Sequence, residues 1–213
     1  MKSSKLAVLL VAVALAGGCA DIGRSRNLAD PAVPGKVLAL QICSACHGID
    51  GNSVSPEFPK LAGQQSAYLV KQLKEFRSHQ RSDPPGPQFM WGITRHLTDD
   101  QIAQISEYFS GQRALRNAGG NPALVAEGRR IYQHGIPQEK VLACSGCHGA
   151  DGQGNGSYPR LAFQHAHYVE RQLEVFQSTQ GRPGTPMESI THPLTGSDKK
   201  SIAAYVQAFP EAK

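Results

Sequence analysis

Polar and apolar positions alternate along this chain with a helical period, and they do so twice. From Ser66 to Ser78, Leu69, Leu73 and Phe76 fall on one face at spacings of four and three; Val169, Leu173 and Phe176 repeat the face in the second half. That period predicts an amphipathic helix in each half. Thr98-Asp99-Asp100 reads as a cap and an acidic first turn ahead of Ile102, Ile105, Tyr108 and Phe109. Thr195-Gly196-Ser197-Asp198 stands in the same relation to Ile202, Tyr205 and Val206, so a second helix is predicted in each half. A further helix, starting near Gly35 and again near Gly128, is expected ahead of a cysteine pair. Between the helices run loops such as Asp83-Pro84-Pro85-Gly86-Pro87 and Gly181-Arg182-Pro183-Gly184-Thr185-Pro186. No stretch reads as a strand.

The two halves match residue by residue, which marks an internal repeat. Cys43, Cys46, His47, Gly48, Asp50 and Gly51 correspond to Cys144, Cys147, His148, Gly149, Asp151 and Gly152. Pro59, Leu61, Ala62, Gln64, Tyr68, Gln72, Leu73 and Phe76 correspond to Pro159, Leu161, Ala162, Gln164, Tyr168, Gln172, Leu173 and Phe176. Met90, Ile93, Thr94, Leu97, Thr98, Ile105 and Tyr108 correspond to Met187, Ile190, Thr191, Leu194, Thr195, Ile202 and Tyr205. The expected organisation is an all-α chain with one domain over residues 30–112, a linker over 113–121 that holds Gly119-Gly120-Asn121, and a second domain over 122–213. Units this small have little core of their own and call for an additional stabilising element.

The first twenty residues stand apart. A short basic start, an apolar run from Leu6 to Leu15 and small residues up to Ala20 make a secretory leader over residues 1–20. Cleavage after Ala20 is favoured. The competing lipoprotein-type site, which would leave Cys19 as a lipidated end, has its Leu one place too far from the Cys. Export to the periplasm is therefore expected, with membrane attachment only through partners or a lipidated Cys19. Without Lys2 and Lys5 the net charge falls from +5 to +3, and no basic block suggests nucleic acid.

An exported protein would ordinarily oxidise its cysteines to disulfides. Pairs separated by two residues close only a tiny loop, which gains little as a disulfide. A Cys-x-x-Cys pair alone could be a redox couple or half a zinc site. A redox couple usually sits beside a strand, and a zinc site needs further ligands while leaving the adjacent histidines without a role. Cys-x-x-Cys-His is the attachment signature of c-type haem. Two thiols three apart on a helical turn reach two vinyl groups of a porphyrin, and the adjacent His places a nitrogen under the iron. Cys43, Cys46 and His47 would hold one haem c, and Cys144, Cys147 and His148 a second.

The sixth iron position decides the chemistry. An open site permits reaction with small molecules, whereas a Met or His ligand favours electron transfer. Beyond Met1 the chain has only Met90 and Met187, at matching places past a Pro/Gly-rich loop. One Met alone more often fills a core gap; equivalent placement in both halves makes the pair candidate iron ligands, with soft thioether sulfur suited to reduced iron. His79, His96, His134, His165, His167 and His192 have no mutually equivalent pair and read as surface or structural. His96 and His192 are the nearest substitutes should a Met fail to bind. The carbonyls of Pro59 and Pro159 are candidate acceptors for the second N–H of the ligating histidines, with a purely loop-shaping role as the alternative.

Taken together, Cys-x-x-Cys-His-Gly-x-Asp-Gly, Pro-x-Leu-Ala, Gln-x-x-x-Tyr-x-x-x-Gln-Leu-x-x-Phe, the Met and the final helix with Tyr108 or Tyr205 resemble the dihaem cytochrome c4 family of class I cytochromes c. The resemblance implies two all-α domains related by a pseudo-twofold, each wrapping one haem. It also implies electron transfer in the periplasm, from a donor such as a quinol-oxidising complex or a dehydrogenase to an acceptor such as a terminal oxidase. Two other functions remain open: the cytochrome subunit of a larger dehydrogenase, or a dihaem enzyme, a peroxidase or sulfur-compound oxidoreductase, with one open haem. A Met at both sites counts against the enzyme. The halves differ in loop length, in Gly63 against Phe163 and in the approach to the cysteines, so two distinct reduction potentials are expected.

Overall fold

The computed structural model describes residues 25–84, 86–117, 119–178, 182 and 184–210. The leader, Cys19 and parts of the two Pro/Gly-rich loops lie outside the described residues. The fold is helical throughout, and the only pairings of extended backbone among those residues are the isolated bridges Ile136–Val141 and Asn155–Tyr158.

In the first half α1 (Gly35–Leu38) runs without a break through a π-helical segment, Ala39–Cys43, into α2 (Ser44–His47). α3 (Ser66–Arg77) buries Leu69 and Phe76, as the spacing predicts. A second π-helical segment, Pro87–Trp91, carries Met90 and leads into α4 (Gly92–Thr94). α5 (Asp99–Ser110) starts at a capping box: Gln101 N–H donates to Thr98 Oγ1 (3.1 Å) and Thr98 N–H to Gln101 Oε1 (2.9 Å). Two of the helix's otherwise unpaired donors are thereby satisfied. Its face of Ile102, Ile105 and Phe109 packs with Leu38, Ala39, Leu69 and Leu97 to form the first core.

The second half uses the same parts. α6 (Pro122–His134) and α7 (Ser145–His148) take the places of α1 and α2. α8 (Ala166–Gln177) replaces α3, α9 (Met187–Thr191) carries the second Met, and α10 (Gly196–Gln207) closes the half. The capping box recurs between Thr195 and Asp198. Its core joins Ile131, Val169, Leu173, Leu194, Ile202 and Val206, with Tyr132, Phe163, Tyr205 and Phe209 in an adjoining aromatic cluster.

One helix start differs from the sequence reading. The helix ahead of the second cysteine pair begins at Pro122, not near Gly128. Asn121 Oδ1 accepts from Ala123 N–H (2.9 Å) and Leu124 N–H (3.3 Å), and proline at the first helical position fits that start. Gly128 lies inside the helix because α10 crosses there: a Cβ at Gly128 would sit 1.9 Å from Ser201 O. Gly35 serves the same crossing in the first half, where a Cβ would sit 2.4 Å from Gln101 O. The longer approach to Cys144 is also accounted for. α6 ends at Gly135 (φ 67°), and a small loop with a 3-10 turn at Pro137–Glu139 is closed by the Ile136–Val141 bridge.

The halves meet through exchanged side-chain contacts. Gln64 takes Arg160 N–H (2.6 Å) on Oε1 and donates Nε2 to Arg160 O (2.9 Å). Gln164 takes Lys60 N–H (2.8 Å) and donates to Lys60 O (2.9 Å). Gln65 Nε2 donates to Gln153 O (2.8 Å), and His165 Nε2 bonds Ser53 O (2.8 Å) in the mirrored place. These reciprocal pairs are the signature of a pseudo-twofold seam. The connecting segment is pinned to both halves, through Asn52 to Arg113 O and Leu115 N–H, and through Asn117 to Phe163 O.

Candidate haem sites

Each cysteine motif occupies one helical turn that ends abruptly. Gly48 (φ 81°, ψ 153°) and Gly149 (φ 82°, ψ 152°) follow the histidines in a conformation essentially reserved for glycine. The backbone leaves the helix at once, and the histidine stays behind, buried: His47 is 7 % and His148 6 % exposed. The next turn returns to the loop that supports them. Gly51 O accepts Leu61 N–H (2.7 Å) and Ala62 N–H (3.1 Å), and Gly152 O accepts Leu161 N–H (2.8 Å) and Ala162 N–H (3.0 Å).

That return places a carbonyl against each imidazole. His47 Nδ1 lies 2.9 Å from Pro59 O, and His148 Nδ1 lies 2.9 Å from Pro159 O. A carbonyl can only accept, so Nδ1 carries the proton and Nε2 keeps its lone pair. This is the tautomer a metal-binding imidazole needs, with the ring fixed from behind. Burial lowers both histidine pKa values, partly offset by the proline carbonyls. Phe58 and Tyr158 stand edge-on to the two rings, at 6.1 and 6.4 Å between centroids.

The four cysteines of the two motifs are unpaired. Burial, chiefly, pushes the Cys43 thiol up to about 12 and that of Cys144 up to about 11. Among the described residues no three of His, Cys, Asp and Glu come together as a metal-binding group. The zinc reading therefore finds no ligand set, whereas two thiols on one turn beside a pre-set imidazole fit haem c in both copies.

Met90 and Met187 are half-buried. The sequence reading missed the residues that hold them. Thr94 Oγ1 donates to Met90 O (2.8 Å) and Thr191 Oγ1 to Met187 O (2.8 Å), and both threonines are fully buried. The recurring Met-x-x-x-Thr spacing was the available signal. His96 and His192, the potential substitutes, are exposed. A second difference concerns the tyrosines. Tyr108 OH donates to Ile49 O (2.6 Å) just past the first motif. In the second half Tyr132, from α6, donates to Gly149 O (2.7 Å), and Tyr205 instead packs against Tyr132 and Phe209. Phe163 keeps the left-handed backbone of Gly63 (φ 71° against 64°), a strained state for a bulky residue.

Two helical halves, each presenting paired thiols and a carbonyl-anchored imidazole on one turn, define a c-type cytochrome with two haem sites. The comparisons with known proteins agree. The cytochrome c family profile matches residues 32–112 and 125–209. Cytochrome c4 of Pseudomonas aeruginosa is 36% identical over 206 residues, covering 94% of this chain and 98% of its own. The solved structure of Acidithiobacillus ferrooxidans cytochrome c4 superposes with a TM-score of 0.74 at 36% identity, covering 78% of this chain and 98% of that one. A thiosulfate dehydrogenase electron acceptor of Stutzerimonas stutzeri is 31% identical over 173 residues, 78% of each chain. The chain belongs to the dihaem cytochrome c4 family, carries two covalently attached haem c groups and is an electron carrier.

Proposed function

We propose that Cys43 and Cys46 bond the first haem with His47 and Met90 as axial ligands, and that Cys144, Cys147, His148 and Met187 do the same for the second. The observation that carries this reading is the matched support in both halves: a proline carbonyl at 2.9 Å behind each His and a buried threonine at 2.8 Å on each Met carbonyl. When bound, the haem supplies reversible one-electron chemistry. The chain's contribution is orientation and environment. The cysteine turn sets the tilt, Pro59 and Pro159 hold the imidazoles, and the thioethers favour ferrous iron and so raise the potential. With both axial positions filled, electrons pass without any substrate docking at a metal.

The protein then works in the periplasm, taking electrons from a donor such as a quinol-oxidising complex or dehydrogenase and passing them to an acceptor such as a terminal oxidase. Its leader supports export, and no helix among the described residues is long and apolar enough to cross a membrane. The similarity to a thiosulfate dehydrogenase electron acceptor supports a second choice of donor, an enzyme that oxidises an inorganic sulfur compound. The deciding experiment is the spectrum of the oxidised protein. The weak far-red band of Met-ligated ferric haem is expected at two-haem strength. Half strength would replace the carrier with an enzyme having one open or differently ligated haem.

A further inference from the structure

Around each Met the two halves share a backbone frame and differ in the side chains it displays. In the first half Phe89 is 57 % exposed, Trp91 is half-buried, and Arg95 and His96 are exposed. The surface beside Gly92 is open, with nothing within 4 Å of where a Cβ would sit. Trp91, the single tryptophan of the chain, is held by two neighbours. The His79 ring lies 4.9 Å from it at an angle of 32°, and the Arg95 guanidinium lies over it at 5.2 Å. The end of α3 extends the face. Arg77 donates Nη1 to Leu97 O (2.8 Å) and pairs with Asp99 (2.6 Å), and Lys74 pairs with Asp99 (2.7 Å).

The second half puts different chemistry at the matching positions. Pro186 stands for Phe89, Glu188 for Trp91 and His192 for Arg95; Glu174 stands for Lys74 and Gln177 for Arg77. With Asp99 and Asp100 at its border, the first face carries Lys74, Arg77 and Arg95 and keeps one positive charge. With Lys199 and Lys200 at its border, the second carries Glu174, Glu188 and Asp198 and keeps one negative charge. Neither Arg95 nor Glu188 forms an ion pair among the described residues.

Exposed Phe beside Trp and Arg is the composition of an interface centre, where Trp and Arg carry a disproportionate share of binding. Stacking Trp91 on His79 and Arg95 in advance reduces the side-chain freedom lost on contact. The excess charge then sets the sign of the partner. We propose that this face docks a redox protein whose contact surface is acidic, with Trp91 as the apolar anchor and Arg95 as the pairing charge. The second half, with carboxylates in those places, does not take that partner, so exchange with it runs through the first half. The inference rests on the ligand reading given above, because a partner held there abuts the Pro87–Trp91 segment that bears Met90.

The test is stopped-flow electron exchange between the full-length holoprotein and an acidic blue-copper protein at low and high ionic strength, for wild type, R95E, W91F, W91A and E174K. R95E is expected to slow the low-salt reaction by on the order of tenfold and to lose most of that difference at high salt. W91A should slow it at both ionic strengths, because salt does not screen an apolar contact, and W91F should do so less. E174K, on the second half, should change the rate by less than R95E does; an equal or larger change would move docking to that half and overturn the proposal. Hexacyanoferrate, a small anion, separates charge from docking: R95E should slow its reaction at low salt and W91A should not. Equal slowing of both probes by W91A would make Trp91 part of the electron path rather than a contact, and would overturn its role as anchor. Cosedimentation with anionic phospholipid vesicles is measured in parallel. Binding that R95E abolishes, with copper-protein rates unchanged, would put a membrane surface in the partner's place. The far-red band, recorded in every variant, reports Met ligation separately, so a failure of the ligand assignment is distinguished from a failure of this proposal. Should W91A disturb that band, R95E and W91F decide, and unchanged copper-protein rates in both would overturn the proposal.

Discussion

Gly128→Ala tests the packing that holds the second half together. A Cβ at this position would lie 1.9 Å from Ser201 O, 2.5 Å from Ser201 C and 2.8 Å from Tyr205 Cβ. An ordinary carbon–oxygen contact needs about 3.3 Å, so α6 must retreat from α10 by about 1.4 Å. The obstacles are backbone atoms of a helix and cannot rotate away. The retreat would loosen Ile131 and Tyr132 on one helix from Ile202 and Val206 on the other, all buried. A radial gap of 0.5–1 Å, roughly, forfeits a quarter to a half of each dispersion contact. Overpacking ordinarily costs about 1–3 kcal/mol and sometimes more; alanine's better helix propensity returns about 1 kcal/mol. A rigid backbone obstacle places this site at the upper end, for a net loss of about 2 kcal/mol. If the half unfolds as its own unit, that lowers its Tm by roughly 8–16 °C. Gly35→Ala, obstructed at 2.4 and 2.8 Å, should lose less, and Gly196→Ala, with nothing within 4 Å, should be neutral or slightly stabilising. Thermal melts of the holoproteins, followed by far-ultraviolet circular dichroism and Soret absorbance, give the order directly. A Gly128→Ala protein melting within about 2 °C of wild type would refute the reasoning.

Gln164→Ala should strand Lys60 N–H and C=O at the seam. At about 1–3 kcal/mol per unsatisfied buried group, the halves should part more readily, read as faster proteolysis within residues 113–121 with both haem spectra unchanged. Thr191→Val removes the 2.8 Å bond to Met187 O at nearly constant volume; stability should fall by about 1 kcal/mol, and the far-red band should fade at lower temperature than in wild type. His165 is buried at the seam, and that burial lowers its pKa. Because the unfolded chain takes up this proton at about 6.5 and the folded chain only at lower pH, stability is full above about pH 6.5 and declines as pH falls toward the folded value. His165→Gln, which copies Gln65 at the mirrored position, should flatten that decline in denaturant titrations at pH 5–7; an unchanged slope would assign the acid sensitivity elsewhere.

Local signals carried most of what could be read before the structure. The α3 and α8 faces, the capping boxes at Thr98 and Thr195, and the two Cys-x-x-Cys-His turns each lie within a few residues of one another, so spacing alone encodes them. The repeat made Met90 and Met187 candidates as well, because a coincidence of position needs no contact map. The start of α6 was misread for the opposite reason. Gly128 looks like a helix boundary in one dimension and is a helix crossing in three, and only the approach of Ser201 O reveals it. That Tyr108 reaches Ile49 O in the first half and Tyr132, from a different helix, reaches Gly149 O in the second is likewise decided by packing.

What the sequence determined by itself was chemistry with short reach: paired thiols, the adjacent imidazole, the helices and their caps. What only the tertiary structure decided was everything held by partners about a hundred residues apart: the glutamines clasping the opposite half's backbone, and Arg81 and Arg182, each bonding a glutamine of the other half. Such contacts depend on how two separately folded surfaces meet. Burial then sets their energetic weight, because a charge or amide that water would satisfy must, once enclosed, find its partner in the other half.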